Sequence, residues 1–108
     1  MLLIDDNGRP DLARFDFEIE RLERLLTDVK VIRASQGPKR ADLADAPLLT
    51  DFRRATIALP CLVGAVCDHP RLPGDLRPIH TSELWVFAPS QGWARTMSRF
   101  YRLGRPGR

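Results

Sequence analysis

The sequence has little from which an enzyme, a membrane protein or a disulfide-rich protein is built. Only two of its 108 residues are cysteine, and no apolar run approaches the length of a membrane span. It has no glycine-rich phosphate loop and no Gly-x-Ser-x-Gly sequence, and the start Met1-Leu2-Leu3-Ile4-Asp5-Asp6 is not that of a signal peptide. We therefore expect a cytoplasmic protein with reduced thiols, no cofactor, no membrane contact and no enzymatic activity.

The charge is unevenly distributed along what we expect to be a single domain, residues 1–108. Residues 1–50 carry 8 basic and 10 acidic side chains, whereas residues 51–108 carry 9 basic and 4 acidic ones. All nine basic residues of the second half are arginine, which forms bidentate contacts with phosphate and carboxylate. A GC-rich genome produces the same arginine bias. The basic half fits nucleic acid or an acidic protein as a partner.

Residues 11–33 have the apolar spacing of an amphipathic helix. Pro10 suits its first turn, Gly37-Pro38 ends it, and residues 1–9 form a short arm that ends at the turn pair Asn7-Gly8. The apolar stripe consists of Leu12, Phe15, Ile19, Leu22, Leu26 and Val29. We expect this stripe to pack on a β-sheet; the alternative is that it binds a partner.

The remainder of the chain predicts a loop over residues 34–47, with room for one helical turn at 41–45, and a β-meander over residues 48–104. The segments predicted as strands are 48–59, 62–67, 79–88 and 93–103, with turns at 72–75 and 89–92 and a basic tail at 105–108. Segment 48–59 also fits a short helix, and 62–67 is predicted to be buried because it is uncharged. The expected fold is α+β: one long N-terminal amphipathic helix packed on a three- to four-stranded antiparallel β-meander.

The segment 93–103 is open to two interpretations. A helix would place its arginines and its aromatic residues on separate stripes, whereas a strand would alternate them between two faces. We favour the strand because Thr, Ser, Phe and Tyr are poor residues for a helix interior. Arg95 and Arg99 would then project from one exposed face, about 13 Å apart, between Trp93 and Tyr101, with Phe100 on the opposite face under the helix.

Four potential metal ligands and two potential nucleophiles occur in the second half. Cys61 and Cys67 are spaced unlike zinc-ligand pairs and lie in an apolar run, so we expect them, like many free cysteines, to be buried as small hydrophobic residues. His69 and His80 complete the set. His80 and Thr81 would point to opposite faces of a strand, so neither Thr81 nor its neighbour Ser82 is expected to be a catalytic nucleophile.

Arginines and aromatic residues intermingle in the last third of the chain, and they are our candidates for binding. Aromatic side chains stack on single-stranded bases while arginine holds the backbone, and the same residue types dominate protein interfaces. Aromatic residues in such a segment fill a hydrophobic core equally often, with the arginines exposed to solvent. The set comprises Trp93, Arg95, Arg99, Tyr101, Arg102, Arg77 and His80, together with Trp85.

The order of several short motifs over residues 47–104 resembles a small family of unknown function from alphaproteobacteria and their prophages. The motifs are Leu62-x-Gly64-x-Val66-x-x-His69-Pro70-x-Leu72, Ile79-x-Thr81-Ser82 and Trp93-Ala94-Arg95-Thr96-x-Ser98-Arg99-x-Tyr101-Arg102-Leu103-Gly104. The resemblance implies a β-meander and names no activity. The chain departs from the family pattern at Cys67-Asp68, where the resemblance leads us to expect a small residue and glycine.

These observations favour a small non-enzymatic binding protein of a prophage or mobile element. It would dock on a host protein or protein–nucleic-acid complex, for example as an inhibitor of a defence complex of the anti-CRISPR type. The alternative is a nucleic-acid-binding accessory or regulatory protein that uses a basic-aromatic β surface. A hydrolase using His69 or His80 is the third class.

Overall fold

A computed structural model gives the chain an α+β architecture and describes residues 1–72, 74 and 76–107. The chain divides into two compact units. The first combines Met1–Asp11 with Ile57–Arg108, and the second is Leu12–Thr56. The second unit is therefore an insertion between two parts of the first.

The second unit contains the predicted long helix. Helix α1 is Leu12–Ser35 and the short helix α2 is Arg40–Ala44, which is the helical turn expected within residues 34–47. The α2 N-terminus is capped by the Asp42 side chain, whose Oδ2 accepts a hydrogen bond from the Lys39 backbone N–H at 3.2 Å. All 24 residues of α1 are described, and none of them is buried. Because α1 and the strands belong to different units, packing of the stripe on the sheet stays a prediction.

The first unit contains a mixed four-stranded sheet. Its strands are β1 Leu2–Leu3, β4 Leu84–Ala88, β5 Trp93–Thr96 and β6 Phe100–Arg102, in the order β1-β4-β5-β6. The β4-β5-β6 part is an antiparallel meander, whereas β1 pairs in parallel with β4. The prediction of a purely antiparallel sheet is therefore wrong at its N-terminal edge, because the residues expected to form a loose arm supply a strand.

A second, two-stranded antiparallel ladder pairs β2 Val63–Val66 with β3 Arg77–His80. The Leu84 N–H donates to the Pro60 carbonyl at 2.8 Å and so ties β4 to the segment before β2. The predicted strand over 79–88 is interrupted between β3 and β4. The prediction that 62–67 is buried is also wrong, since Val63 is 79% exposed.

Residues 48–59, all of which the structure describes, contain neither helix nor strand. The predicted strand there is wrong, and Phe52, which favoured it, is 78% exposed. A β-branched or aromatic side chain favours a strand only where it has a neighbouring strand and a buried face to pack on.

The predicted single strand over 93–103 is a hairpin of β5 and β6, and Thr96 explains why the chain turns. Thr96 is buried, and its hydroxyl accepts hydrogen bonds from the backbone N–H groups of Ser98 and Arg99 at 3.2 and 3.3 Å. The same hydroxyl donates to the Arg99 carbonyl at 3.2 Å, which also accepts from the Thr96 N–H at 2.9 Å. One threonine side chain thus satisfies the backbone of a turn that strand propensity does not reveal.

The connection between β4 and β5 is the predicted tight turn at 89–92, a 3₁₀ turn Pro89–Gln91 followed by Gly92 at φ +80°. Glycine adopts this left-handed conformation without a steric penalty. The Gly92 carbonyl accepts from the Leu103 N–H at 2.8 Å, so the turn also anchors the end of β6.

The core of the first unit is small and lies on the central strand pair. Its buried hydrophobic residues are Leu2, Leu84, Ala88 and Ala94. Pro73, Asp75 and Arg108 lie outside the described residues, so the predicted turn at 72–75 and the end of the tail at 105–108 are not described in full. Within the described part of the chain, no helix is both long and apolar enough to cross a bilayer.

Thr96→Val should lower the free energy of unfolding by about 0.5–1.5 kcal/mol, because valine keeps the shape but removes the buried hydroxyl that accepts from the Ser98 and Arg99 N–H groups. Urea denaturation measures this loss. Thr50→Val is the matched control, since Thr50 is exposed and its replacement should change stability by less than about 0.5 kcal/mol. Equal effects of the two substitutions would contradict the role of the Thr96 hydroxyl.

Candidate binding surface on the β5–β6 hairpin

One face of the β5–β6 hairpin brings Trp93, Arg95 and Phe100 together, and we call these three residues the arginine–aromatic cluster. Arg95 is paired with Phe100 across the two strands, and Trp93 with Arg102, so all four residues share one face. The Arg95 Cζ atom lies 5.1 Å from the centroid of the Phe100 ring. The Trp93 and Phe100 ring centroids are 5.9 Å apart, with the planes at 65°.

Both ring contacts have favourable geometry. An arginine within about 6 Å of a ring centroid is attracted by the negative face of the ring, and edge-to-face aromatic pairs are favoured over flat stacks. Phe100 is nevertheless 67% exposed, and Trp93 and Arg95 are half-buried. The cluster is therefore ordered by its own contacts and remains open to solvent.

The prediction that Phe100 lies on the opposite face from Arg95 is wrong. An uninterrupted strand from residue 93 would point Phe100 away from Arg95, but the turn at 97–99 resets the alternation and sets Phe100 opposite Arg95. The signal that reveals this turn is the local pattern Thr96-x-Ser98-Arg99, in which hydroxyl side chains compete for backbone hydrogen bonds.

Arg99 and Arg102 lie near the two ends of β6. Arg99 closes the turn, so the predicted spacing of about 13 Å from Arg95 along one straight strand is wrong. Arg102 Nη2 lies 3.7 Å from Asp68 Oδ2, and both side chains are largely exposed. An exposed ion pair of this length contributes little to stability and leaves both charges available.

Tyr101 does not belong to the arginine–aromatic cluster. It is paired with Ala94, so it lies on the opposite face of the hairpin from Arg95. There its ring centroid is 6.3 Å from that of His69, at an interplanar angle of 41°. The prediction that Tyr101 flanks the arginines on one face is therefore wrong.

Arg77 and His80 lie on β3 in the two-stranded ladder. Arg77 is paired with Val66 and His80 with Val63, and their positions differ by three residues, so they occupy opposite faces of that ladder. The seven predicted binding residues are consequently divided between two sheets, and neither sheet presents all of them on one face. Trp85 lies at a register shift in β4, and its buried Nε1 has no hydrogen-bond partner among the described residues.

The hydroxyl groups considered as nucleophiles have structural roles. The Thr81 Oγ1 donates to the Ser82 carbonyl at 2.7 Å and accepts from the Leu62 N–H at 3.0 Å. The Ser82 and Ser98 Oγ atoms are 2.9 Å apart, and the Ser98 N–H donates to Ser82 Oγ at 3.2 Å. Thr81 therefore extends the β2–β3 ladder beyond His80, and Ser82 is held against the β5–β6 turn.

Asp68 occupies the position where the resemblance leads us to expect glycine. Its φ is +57°, in the left-handed region that glycine adopts most easily. Aspartate is among the few other residues that tolerate this region, so the turn keeps the glycine-like conformation. The Asp68 carboxylate additionally contacts Arg102, which a glycine would not do.

Residues 1–72, 74 and 76–107 contain no group of three or more His, Cys, Asp or Glu side chains that could hold a metal ion. Cys61 and Cys67 are free thiols. Both are exposed, so the prediction that they are buried is wrong; they flank β2, which is itself exposed.

The second unit has a hollow of about 430 Å³ at the end of α1, lined by apolar side chains and the carboxylates of Asp28, Asp42 and Asp45. None of the seven predicted binding residues lines it. The hollow is therefore separate from the binding surface predicted by the sequence.

Next to Tyr101, the pKa of His69 is lowered, first by burial of the ring and then by the positive charges of Arg99 and Arg71. The backbone N–H of Arg71 donates to His69 Nδ1 at 3.1 Å, which requires that nitrogen to be unprotonated. The hydrogen bond from the Arg71 N–H and the nearby positive charges thus both favour the neutral form of the His69 ring.

Comparison with known proteins identifies a family but no activity. The model of a family of unknown function, DUF6634, matches residues 18–107, which includes most of α1 and all of β2–β6. No curated protein and no solved structure matches the chain.

Arg99→Gln should raise the pKa of His69, because it removes one of the positive charges that oppose protonation. NMR titration of the ring protons measures the change, and Arg77→Gln is the control, which should leave the His69 pKa unchanged. Since the folded pKa lies below the unfolded value of about 6.5, protonation of His69 should lower stability as the pH falls below that value. Equal titration of His69 in both variants would contradict this.

Proposed function

Since this chain belongs to DUF6634, a family of unknown function, we propose from its own surface that it is a small non-enzymatic binding protein that holds an acidic partner protein on the β5–β6 hairpin. The observation that carries the proposal is the arginine–aromatic cluster, exposed but already ordered by internal contacts. The site residues are Trp93, Arg95 and Phe100, with Arg99 and Arg102 at the two ends of β6.

The composition of the cluster is that of an interface hot spot. Tryptophan and arginine are enriched where truncation to alanine costs most, and such residues lie in the centre of an interface. A surface that is already ordered also loses less side-chain entropy on association than a flexible one. The mutual contacts of Trp93, Arg95 and Phe100 supply this ordering.

The charge of the surrounding segment supports an acidic partner. Residues 84–108 contain five arginines and neither aspartate nor glutamate. Three of the five arginines, Arg95, Arg99 and Arg102, are on the hairpin itself. The positive potential of such a segment raises the rate of encounter with an acidic surface.

The ring geometry favours protein over single-stranded nucleic acid as the partner. Base stacking requires a free aromatic face, and one face of the Phe100 ring already lies under the Arg95 guanidinium, while the Trp93 and Phe100 ring planes are inclined at 65° and offer no common stacking plane. A carboxylate-bearing loop needs no free ring face, because it contacts the guanidinium edge and the aromatic rims.

A nucleic-acid-binding accessory protein is the second candidate, favoured by the arginine-only charge after Glu83. In that case the arginines would follow phosphates and Trp93 would supply the stacking surface. A prophage setting, a host defence complex as the target and a cytoplasmic location stay predictions of the sequence analysis.

Phe100→Ala should weaken binding to the captured partner about tenfold or more, because it removes the ring that both other cluster residues contact. Protein captured from the host by the tagged wild type is purified, and its affinity for each variant is measured by surface plasmon resonance. Arg77→Gln, on the other sheet, is the control and should bind normally. The proposal fails if Phe100→Ala retains full affinity while remaining folded by circular dichroism.

Arg95→Gln distinguishes the two candidates when binding to a single-stranded oligonucleotide is measured by fluorescence anisotropy over a salt series. A nucleic-acid-binding function predicts that this variant lowers the slope of log K against log salt by about one unit. A protein-binding function predicts weak oligonucleotide binding with the same slope in wild type and variant.

A further inference from the structure

We propose that α1 pairs with the α1 helix of a second copy of this chain, in an antiparallel coiled coil. This surface lies on the second unit, away from the residues of the β5–β6 hairpin in sequence, and the inference does not depend on the proposed function.

The apolar stripe of α1 contains a heptad repeat, with further apolar residues at position g, Leu25 and Ile32. Counting Leu12 as position a, the apolar residues at a and d alternate at spacings of three and four through three heptads. They are Leu12, Phe15, Ile19, Leu22, Leu26 and Val29. The 24-residue helix is about 36 Å long, and the apolar seam from Leu12 to Val29 covers about 26 Å of it.

The second unit does not cover this seam with its own residues. Leu26 and Val29 are 54% and 50% exposed, and the described residues of α1 include none that is buried. Helices in water gain most of their stability from packing an amphipathic face rather than from intrinsic propensity. A continuous exposed apolar strip of this kind marks an interaction surface.

The charges beside the seam identify a second copy as the occupant and fix its direction. Position e is occupied by Asp16, Glu23 and Lys30, so the two ends of this row have opposite charge. In an antiparallel coiled coil, e residues of one helix face e residues of the other. Asp16 of each copy then faces Lys30 of the other, giving two attractive pairs in one dimer, against one repulsive pair where Glu23 faces Glu23 of the other copy at the symmetry axis.

A parallel pair has no such complementarity. Position g of one helix would face position e of its partner, which sets Glu18 opposite Glu23 twice. Glu18 already forms an ion pair with Arg21 of its own helix at 2.8 Å. That ion pair still leaves the Glu18 and Glu23 carboxylates of the two parallel helices facing each other.

In the antiparallel register that pairs Asp16 with Lys30, four of the six apolar a and d residues face apolar partners, while Leu12 faces position 36, beyond the end of α1. Ile19 then faces Val29 of the other copy, and Leu26 faces Leu22. At both ends Arg33 faces Phe15, which places a guanidinium beside a ring. Near the symmetry axis Leu25 at position g faces its own copy, so this flank adds apolar contact.

Charge reversal with rescue tests the pairing. Sedimentation equilibrium of the full chain should show a dimer whose association constant falls about tenfold in Lys30→Glu and likewise in Asp16→Lys, since each change converts two attractive pairs into two repulsive ones. The double variant Asp16→Lys with Lys30→Glu should restore wild-type association. Arg24→Glu is the matched control, because position f points away from the seam.

The outcomes separate this proposal from its rivals. A wild type that remains monomeric over the dilution series overturns it and favours packing of the stripe within the same chain. The proposal is also overturned if Lys30→Glu leaves the association constant of the dimer unchanged, or if the double variant associates more weakly than either single variant. Capture of a partner on the β5–β6 hairpin is measured independently and is unaffected by any of these results.

Discussion

The pairing of β4 with β5 is the constraint on which the rest of the first unit depends. Three of the four hydrophobic residues that are buried in its described part, Leu84, Ala88 and Ala94, lie on these two strands. Strand β1 is added to the free edge of β4, strand β6 to the free edge of β5, and the second ladder is tied on through the Leu84 N–H. Because two of the three residues are alanines, they bury little apolar surface, and the backbone hydrogen bonds of the ladder carry much of the organisation. Trp93 and Phe100 remain half-buried and exposed respectively, and they form a surface.

Local periodicity explains what the sequence analysis predicted correctly. Helix α1, strand β2 and the turn at Pro89–Gln91 depend on apolar spacing or on Pro and Gly punctuation, which are visible in a window of a few residues. Strand β1 was not predicted because two residues have no period and are held by a partner far away in the sequence. The prediction of a strand over residues 48–59 was wrong for the converse reason: the segment has strand-forming residues but lacks a neighbouring strand.

The candidate site was predicted in composition and only partly in arrangement. Trp93 and Arg95 share a face as expected, but a single buried hydroxyl on Thr96 ends β5 and inverts the alternation of everything after it. Phe100 therefore enters the cluster and Tyr101 leaves it. A one-residue change of phase exchanges the two faces of a strand, so site prediction on a short hairpin is only as good as prediction of its turn.

The parallel pairing of β1 with β4 has a consequence for how the chain is made. Leu2 is paired with Val86, 84 positions later, and the whole second unit is synthesised between them. At about 5–20 residues per second, β1 waits roughly 4–17 seconds on the ribosome for its partner strand. The helical unit emerges complete during that interval and is free to fold first. This edge of the sheet can close only after β4 has emerged, although β1 is the first of its strands to be made.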